Sequence, residues 1–357
     1  MEVPPTAPPD DSPTRPRIAV VVPCHRVKRF VLDVLTRIGP ECARIFVVDD
    51  ACPEKTGDHV ASSCRDPRVR ILRHAKNEGV GGAMRTGYRA ALEDGADVVV
   101  KIDGDGQMDP ALVPALVAPI LAGSADYAKG NRFVRLADAR AMPLVRLVGN
   151  AGLSFLSKLS SGYWDVFDPT NGLTAVHADV LAEVPLDELA SGYFFESDLL
   201  HHLGFVRAVV VDVPMRAVYG QQESGLRPIH ALFSFSWGHA RNTLRRLFYA
   251  YFVRDFSVAS LQLPLGLALG AFGTVFGVLE WRDAVTRGVG AYAGTVMLAA
   301  LPVILGTQLL LSFLAYDVAR VPRVPIHPAL RAEREARARL GRGGAAPGAD
   351  VTRGPRA

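Results

Sequence analysis

The chain has 357 residues, a formal net charge of +4 at pH 7 and a mean hydropathy of +0.17. A positive mean hydropathy is too apolar for a purely soluble protein, and the charge is only slightly basic, so we expect no nucleic acid as a partner. The apolar excess lies after residue 257, whereas the first 250 or so residues read as one α/β domain.

The N-terminal segment, residues 1–16, is rich in proline and acid and has no apolar core. We therefore expect no signal peptide there, and we expect the segment to be disordered. The four cysteines all precede residue 65 without a CxxC spacing, which favours a reduced, cytosolic setting. They are Cys24, Cys42, Cys52 and Cys64.

Apolar strands and helices alternate through residues 17–103. Strands are predicted at 17–23, 45–50, 69–72 and just before Asp103, with helices at 30–38 and 83–94 between them. This alternation predicts a parallel sheet with helices on both faces and a ligand at the carboxyl ends of the strands. Those ends carry Pro23, Asp49, Asp50, Asp103 and Asp105.

The run VVVKIDGDGQMDP at 98–110 takes a buried strand directly into Asp103-Gly104-Asp105. Carboxylates at i and i+2 on a turn can face one hard cation, Mg²⁺ or Mn²⁺, and such a cation in turn holds a diphosphate. A solvated acidic loop is the alternative. The second acidic strand end, at Asp49-Asp50, favours the site.

The glycine cluster at 79–82 opens a helix and could cradle a phosphate on its free amides. It fits neither GxGxxG after a first strand nor a P-loop. Arg85, one turn into the helix, either adds positive charge to this site or lies on the helix surface, and the sequence leaves both readings open.

The order of these motifs resembles family 2 glycosyltransferases of the GT-A fold, in the polyprenyl-phosphate branch that includes dolichol-phosphate mannose synthase. The resemblance covers about residues 17–225 and rests on the runs VVVP, VVDD, NEGVGGAMRTGYRAA, KIDGDGQMDP, KGNRF, DPTNGL and GYFFESD. It implies a GT-A, Rossmann-like mixed sheet with helices on both faces.

The resemblance also implies roles for single residues. Asp50 would contact the nucleotide base, Asp103 would lie near the ribose or metal, and Asp105 and Gln107 would bind the metal and the diphosphate. Pro23 and Arg85 are assigned with them to the donor nucleotide site. An amide oxygen such as that of Gln107 suits this place because it is a hard, neutral ligand.

For the acceptor, the resemblance implies that Arg132 faces a phosphate, a task that suits the planar guanidinium. Arg135 is assigned to the same phosphate. Together with Arg140 and Arg146 it lies in a stretch that either recruits an anionic acceptor or is merely solvated charge.

Two further acidic motifs have competing readings. Asp168 and Asn171 belong to a good turn sequence that could also contact the sugar. Glu196 and Asp198 open a helix, whose first turn favours acids anyway, while related enzymes with hydroxyl acceptors imply an aspartate here as general base. Because a phosphate acceptor is already anionic near neutral pH, we expect Asp198 to orient a substrate, so that Asp198→Asn keeps a remnant of activity that Asp105→Ala abolishes.

The last third of the chain predicts membrane attachment. Residues 226–256 mix aromatics with arginines, as amphipathic interfacial helices do, and residues 257–279 and 289–316 are long enough uncharged segments to form a transmembrane hairpin. Arginines flank the hairpin on both outer sides, which predicts cytosolic termini. The basic tail, 317–357, is expected to be largely disordered, with a short helix at 329–340.

The sequence thus predicts a multi-pass protein of the cytoplasmic membrane that needs Mg²⁺ or Mn²⁺. It would transfer one sugar from a UDP- or GDP-hexose to polyprenyl phosphate at the cytosolic face, with inversion, and it could form a homo-oligomer. Two alternatives remain open: transfer to a glycolipid or other hydroxyl acceptor with Asp198 as base, and a non-catalytic membrane scaffold that keeps the fold.

Overall fold

The computed structural model describes residues 15–134, 144–215 and 228–343. Its centre is a seven-stranded sheet in the order β3-β2-β1-β4-β6-β5-β7. Strands β1 to β4 run parallel, β6 runs antiparallel to both of its neighbours, and β7 runs parallel to β5. The strands are β1 Ile18–Cys24, β2 Cys42–Asp49, β3 Val69–Arg73, β4 Val98–Lys101, β5 Tyr127–Asn131, β6 Thr174–His177 and β7 Val210–Pro214.

Helices cover both faces of the sheet, and each face has its own apolar core. In β1, Val20 and Val22 belong to one core while Val21 belongs to the other. This explains why β1 and β4 read as unbroken apolar runs rather than alternating ones. The α/β domain contains α1 Val31–Arg37, α2 Thr56–Ser63, α3 Gly79–Glu93, α4 Val113–Leu121, α5 Leu144–Ser161, α6 Ala178–Ala182 and α7 Phe195–Val206. The predicted mixed α/β sheet with helices on both faces is confirmed.

The segment predicted to lie in a membrane interface forms α8, Pro228–Phe248, followed by a π-helix at Tyr249–Arg254. One face of α8 packs onto the α/β domain and buries His239, Asn242 and Arg246. Its other face exposes large apolar side chains, with Trp237 75% and Leu244 70% exposed. The segment is therefore partly a domain helix, and its interfacial role stays a prediction.

Two long helices follow, α9 Val258–Arg287 and α10 Ala293–Ala319, and both are long and apolar enough to cross a membrane by length and composition. Helix α9 runs past the predicted end at residue 279 to Arg287, so the connecting loop is short. The glycine face of α9 packs against α10: a Cβ added to Gly266 would lie 2.9 Å from Leu310 Cγ, and one added to Gly306 would lie 2.7 Å from the Gly270 nitrogen. The helices form a hairpin, and the partner of the glycine face is the chain's own second helix.

A buried carboxylate, Asp317 in the last turns of α10, fixes the hairpin to the rest of the chain. It accepts two hydrogen bonds from the Arg246 guanidinium at 2.8 and 2.9 Å, one from the Tyr251 hydroxyl at 2.5 Å and one from the Trp164 indole at 2.8 Å. Both ends of the hairpin therefore lie on the side of the α/β domain.

The expectation of a largely disordered tail is wrong for residues 320–343. Helix α11, His327–Gly343, begins at the sheet, where the Asp126 carboxylate accepts from the backbone N–H groups of Ile326 and His327. The His327 ring stacks on His177 with 4.2 Å between ring centroids. The predicted helix at 329–340 is thus longer and docked on the α/β domain. The other segments expected to be disordered fall almost wholly outside the described residues.

Candidate functional site

A cleft of about 670 Å³ opens at the carboxyl ends of the parallel strands. It is lined on one side by residues that follow β1, β2 and β4, and on the other by residues of α5 and α8 such as Leu153 and Phe235. Five of the predicted site residues line it together: Pro23, Asp50, Asp103, Asp105 and Arg132. The sheet therefore gathers the motifs that the sequence placed at its strand ends.

The acidic pair lies where β4 ends. Asp103 accepts a hydrogen bond from the Lys101 ammonium at 2.5 Å, whereas Asp105 accepts the Gln107 backbone N–H, at 3.0 Å, within the turn. Burial, followed by the negative charge of Asp103, raises the pKa of Asp105. Negative charge that protein donors do not fully offset favours a cation at this point.

The third predicted metal ligand, Gln107, is not among the residues that line the cleft. No group of three or more His, Cys, Asp or Glu side chains within residues 15–134, 144–215 and 228–343 is arranged to hold a metal ion. The acids at the end of β4 that line the cleft are Asp103 and Asp105, and a metal held by them together with Gln107 stays a prediction.

A buried ion cluster behind the acidic pair was missed by sequence reasoning. Lys101, fully buried at the end of β4, contacts Asp103 and, at 3.0 Å, the carboxylate of Glu196. Burial alone would lower the pKa of Lys101, but the two carboxylates raise it, and the lysine carries a full positive charge. The signal was the single lysine in an otherwise apolar strand.

Glu196 itself lines the cleft and opens α7. Burial raises its pKa, the positive charge of Lys101 opposes that rise, and Asp103 adds to it. Space behind the cluster is kept by Gly172, because a Cβ added there would lie 2.6 Å from the Lys101 nitrogen. The Lys101 ammonium therefore lies between Asp103 and Glu196 and pairs with both carboxylates.

Asp50 is engaged with the protein itself. Its two oxygens accept the backbone N–H groups of Glu78 and Gly79, each at 2.8 Å, and one of them also contacts His74 at 2.8 Å. The Gly81 amide donates to the Ser191 carbonyl at 2.7 Å. The amides of Gly79 and Gly81 at the start of α3 are therefore already used, the phosphate cradle at the glycine cluster stays a prediction, and Asp50 anchors that helix start.

Arg85 is not brought to the cleft. Its guanidinium lies 3.8 Å from the Glu78 carboxylate and donates to the Asp187 carbonyl at 3.5 Å, and it is not a lining residue. Of the two readings of Arg85, the structure favours the surface arginine.

Arg132, just after β5, lines the cleft and pairs with Asp168 in a two-pronged contact of 2.8 and 2.7 Å. Burial would raise the pKa of Asp168, but the Arg132 guanidinium and Lys129 hold it below its usual range. Asn171 donates to the same carboxylate at 3.0 Å. Asp168 and Asn171 thus position Arg132. Arg135 and Arg140 lie outside the described residues, as does the side chain of Arg146.

The expectation for Asp198 needs correction. Its carboxylate is fully buried and is held by the Ala190 N–H at 2.8 Å and the Asn242 amide of α8 at 2.7 Å, and it is not a lining residue of the cleft. The acid that α7 presents to the cleft is Glu196, two residues earlier.

Comparison with known proteins identifies the family. A family model described as Glycosyl transferase family 2 matches residues 19–184. An undecaprenyl-phosphate mannosyltransferase of Micrococcus luteus is 33% identical over 57% of this chain and 84% of its own. A UDP-N-acetylglucosamine--dolichyl-phosphate N-acetylglucosaminyltransferase of Methanococcus voltae is 28% identical over 57% of this chain and 86% of its own.

Among solved structures, glucosyl-3-phosphoglycerate synthase from Mycobacterium tuberculosis with Mn²⁺, UDP-glucose and phosphoglyceric acid is similar at a TM-score of 0.49. It is 23% identical and covers 65% of this chain and 79% of that one. The identity and the coverage of the relative from Micrococcus luteus decide the family, and the strand-end acids fit it: the chain is a glycosyltransferase that belongs to glycosyl transferase family 2.

Proposed function

We propose that the protein transfers one hexose or N-acetylhexosamine from a UDP- or GDP-sugar to a polyprenyl phosphate at the cytosolic face of the cytoplasmic membrane. One observation carries this proposal: a single cleft is lined by the acidic pair at the end of β4 and by Arg132, and its far wall consists of α5 and α8. Helix α8 leads through the π-helix directly into the hairpin. A donor held at the sheet and a phosphate arriving from a membrane would meet in this cleft.

The names of the two relatives, which specify undecaprenyl and dolichyl phosphate, support the same class of acceptor. Arg132 is suited to it because a guanidinium stays charged and binds two phosphate oxygens at once. Asp168 already fixes its orientation, so little side-chain entropy remains to be lost when a phosphate binds.

Donor activation would depend on Asp105 and Asp103, the residues that would hold Mg²⁺ or Mn²⁺. The raised pKa of Asp105 marks a carboxylate that gains from a nearby cation, and this fits the metal. Such an ion neutralises charge that develops on the leaving diphosphate. Lys101 keeps Asp103 in place from behind and supplies a fixed positive charge to the floor of the site.

The reaction needs no strong base. A phosphate monoester oxygen, largely ionised near neutral pH, attacks the anomeric carbon, the bond from that carbon to the diphosphate oxygen breaks, and the nucleoside diphosphate leaves with inversion of the carbon. The chain's residues orient the two reactants and keep water out. The alternative with a hydroxyl acceptor and Asp198 as base loses support, because Asp198 is buried away from the cleft.

The membrane placement is part of the proposal. Both hairpin ends adjoin the α/β domain and carry arginines, including Arg254 before α9 and Arg320 after α10. The positive-inside rule then assigns the domain and both termini to the cytosol.

The test uses full-length protein in detergent with undecaprenyl phosphate, Mn²⁺ or Mg²⁺, and a panel of radiolabelled UDP- and GDP-sugars. We expect label from one donor in the organic phase, lost with EDTA. Arg132→Gln should remove it, whereas Arg85→Gln, the matched loss of a charge outside the cleft, should keep it. If folded protein transfers no label from any donor, or if both variants lose activity equally, the proposal is wrong.

A further inference from the structure

A second, smaller cavity lies where the α/β domain meets the hairpin. It has a volume of about 40 Å³ and is formed by the end of α5, the end of α7, the π-helix and the residues after α10. From Leu153 in the functional cleft to Ser161 at this cavity, α5 advances eight residues, or about 12 Å. The cavity is therefore separate from the functional cleft, although both lie along the same helix.

Three arginines, Arg207, Arg254 and Arg320, line this cavity, and we call them the arginine cluster. A fourth lining arginine, Arg246, is already neutralised by Asp317. One carboxylate contacts the arginine cluster: Asp255 pairs with Arg320 and lies 3.7 Å from Arg254. Within the described parts of the chain, Arg207 forms no ion pair with a carboxylate. The cluster thus holds three positive charges against one negative charge.

Two nitrogens of the cluster are buried and have no hydrogen-bond partner among the described residues, namely Nε of Arg254 and Nη1 of Arg320. Burial and then the positive charge of Arg207 lower the pKa of Arg254, Asp255 opposes this fall, and Arg320 adds to it. Like charges that are close together and partly desolvated are unfavourable without a counterion. The cavity therefore favours an anion that accepts hydrogen bonds from these two arginines.

The place of the cluster indicates which anion. Arg254 precedes α9 by four residues and Arg320 directly follows α10, so both lie at one end of the hairpin. Exposed apolar side chains flank them, with Val253 59%, Phe256 71% and Val258 70% exposed. A guanidinium group binds phosphate oxygens in pairs, and side chains that flank the end of a membrane hairpin meet lipid headgroups.

We propose that the arginine cluster binds the phosphate of an anionic phospholipid, at a site distinct from the functional cleft. The proposal rests on the membrane placement that belongs to the proposed function. The bound headgroup would accept hydrogen bonds from Arg254 Nε and Arg320 Nη1 and hold the α/β domain against the bilayer surface.

The experiment measures lipid binding to full-length protein in a neutral detergent, without donor or acceptor. Short-chain phosphatidylglycerol, short-chain phosphatidylcholine and inorganic phosphate are titrated separately, with the number and affinity of bound molecules read by native mass spectrometry. We expect phosphatidylglycerol to bind at least about tenfold more tightly than phosphatidylcholine, because each arginine at a membrane surface adds roughly a factor of five. Inorganic phosphate should bind more weakly still.

The double variant Arg207→Gln/Arg254→Gln should weaken the binding of phosphatidylglycerol by about tenfold or more. The matched control is Arg241→Gln/Arg245→Gln, which removes the same charge from exposed positions of α8 and should change the affinity by less than about threefold. Arg207→Gln alone serves as the variant that breaks no ion pair of the described residues, and it should show part of the loss with unchanged thermal unfolding.

Equal losses in the two double variants, or no preference for phosphatidylglycerol, would overturn the proposal. Binding of inorganic phosphate as tight as that of phosphatidylglycerol would overturn the lipid assignment. If the wild-type protein fails to partition into liposomes, the membrane placement falls and this proposal with it. A protein that partitions and transfers sugar yet shows no lipid preference contradicts only the arginine cluster.

Discussion

Two carboxylates in different regions of the molecule have opposite surroundings. Asp317, in the seam between α8 and the hairpin, receives four hydrogen bonds from three side chains, one of them the Arg246 guanidinium. Asp105, in the cleft, accepts the Gln107 backbone N–H, and burial, followed by the negative charge of Asp103, raises its pKa. A carboxylate with all its partners built in holds a structure together, while one left short of partners is ready for a ligand.

The largest effect should come from removing the cleft carboxylate. Asp105→Asn keeps the size of the side chain but removes half of the acidic pair, so we expect sugar transfer to fall on the order of 10³-fold. The thermal unfolding temperature should stay the same or rise, because a repulsive contact with Asp103 is lost. Transfer assays and thermal melts of the same preparation check both parts. A clear fall in melting temperature would mean that Asp105 is structural after all.

Removing the charge of Asp317 should lower the stability of the protein more than its activity. Asp317→Asn leaves the Arg246 guanidinium buried without its counter-charge, which costs about 3–5 kcal/mol. We expect a lower melting temperature and faster proteolysis between the α/β domain and the hairpin, with less than about tenfold loss of transfer in the protein that stays folded. Asn242→Ala is a suitable companion, because it removes a different buried contact of α8, the one to Asp198. A stable Asp317→Asn protein without activity would contradict the comparison.

A third test separates the two acids of α7. Glu196→Gln removes the cleft acid that shares Lys101 with Asp103, and we expect transfer to fall about 10–100-fold. Asp198→Asn should cost less activity and more stability, because that side chain is buried away from the cleft and holds Ala190 and Asn242. Steady-state rates and melting temperatures of both variants test this prediction. A larger loss of activity in Asp198→Asn than in Glu196→Gln would show that Asp198 acts in the functional site.

The smallest effect concerns pH. Burial lowers the pKa of His201 and of His239 to about 4. Both rings contact Ser160 at the interface of α5 with α7 and α8. Because these values lie below the unfolded value of about 6.5, the unfolded chain binds more protons between pH 6.5 and 4. Stability is therefore complete above about pH 6.5 and falls as the pH drops toward 4.

Thermal melts between pH 7.5 and 4.5 measure this fall in stability. His239→Gln should make the pH dependence of the melting temperature shallower. His59→Gln on α2, away from the interface of α5 with α7 and α8, should leave this dependence as in the wild type. An unchanged slope in His239→Gln would show that other groups cause the acid destabilisation.

The features that were predicted from the sequence are those that depend on short stretches of the chain. Strands β1 and β4 are largely apolar runs, and the acids at the ends of β2 and β4 reach the same edge because parallel strands end there. The resemblance added Arg132, which indeed lines this cleft. These features need no knowledge of distant contacts.

What the sequence could not supply depends on pairs of residues far apart in the chain. Asp198 is turned away from the cleft by Asn242, 44 residues later, and the tail is ordered by the contact of His327 with Asp126, 201 residues earlier. Periodicity of a helix shows which residues share a face, but not which neighbour covers that face. The same holds for Arg85, whose place on the helix the sequence left open and whose partners Glu78 and Asp187 it did not indicate.

The return of the chain onto the sheet through α11 has a mechanical consequence. A domain joined to a membrane by one connection can swivel about it, but this domain is joined through both α9 and α10, and the chain after α10 docks again at Asp126. In a bilayer that holds the hairpin, the mouth of the cleft would keep a constant height and direction relative to the lipid surface. Such a fixed geometry would select substrates by the depth at which they present their reactive group, before any side chain recognises them.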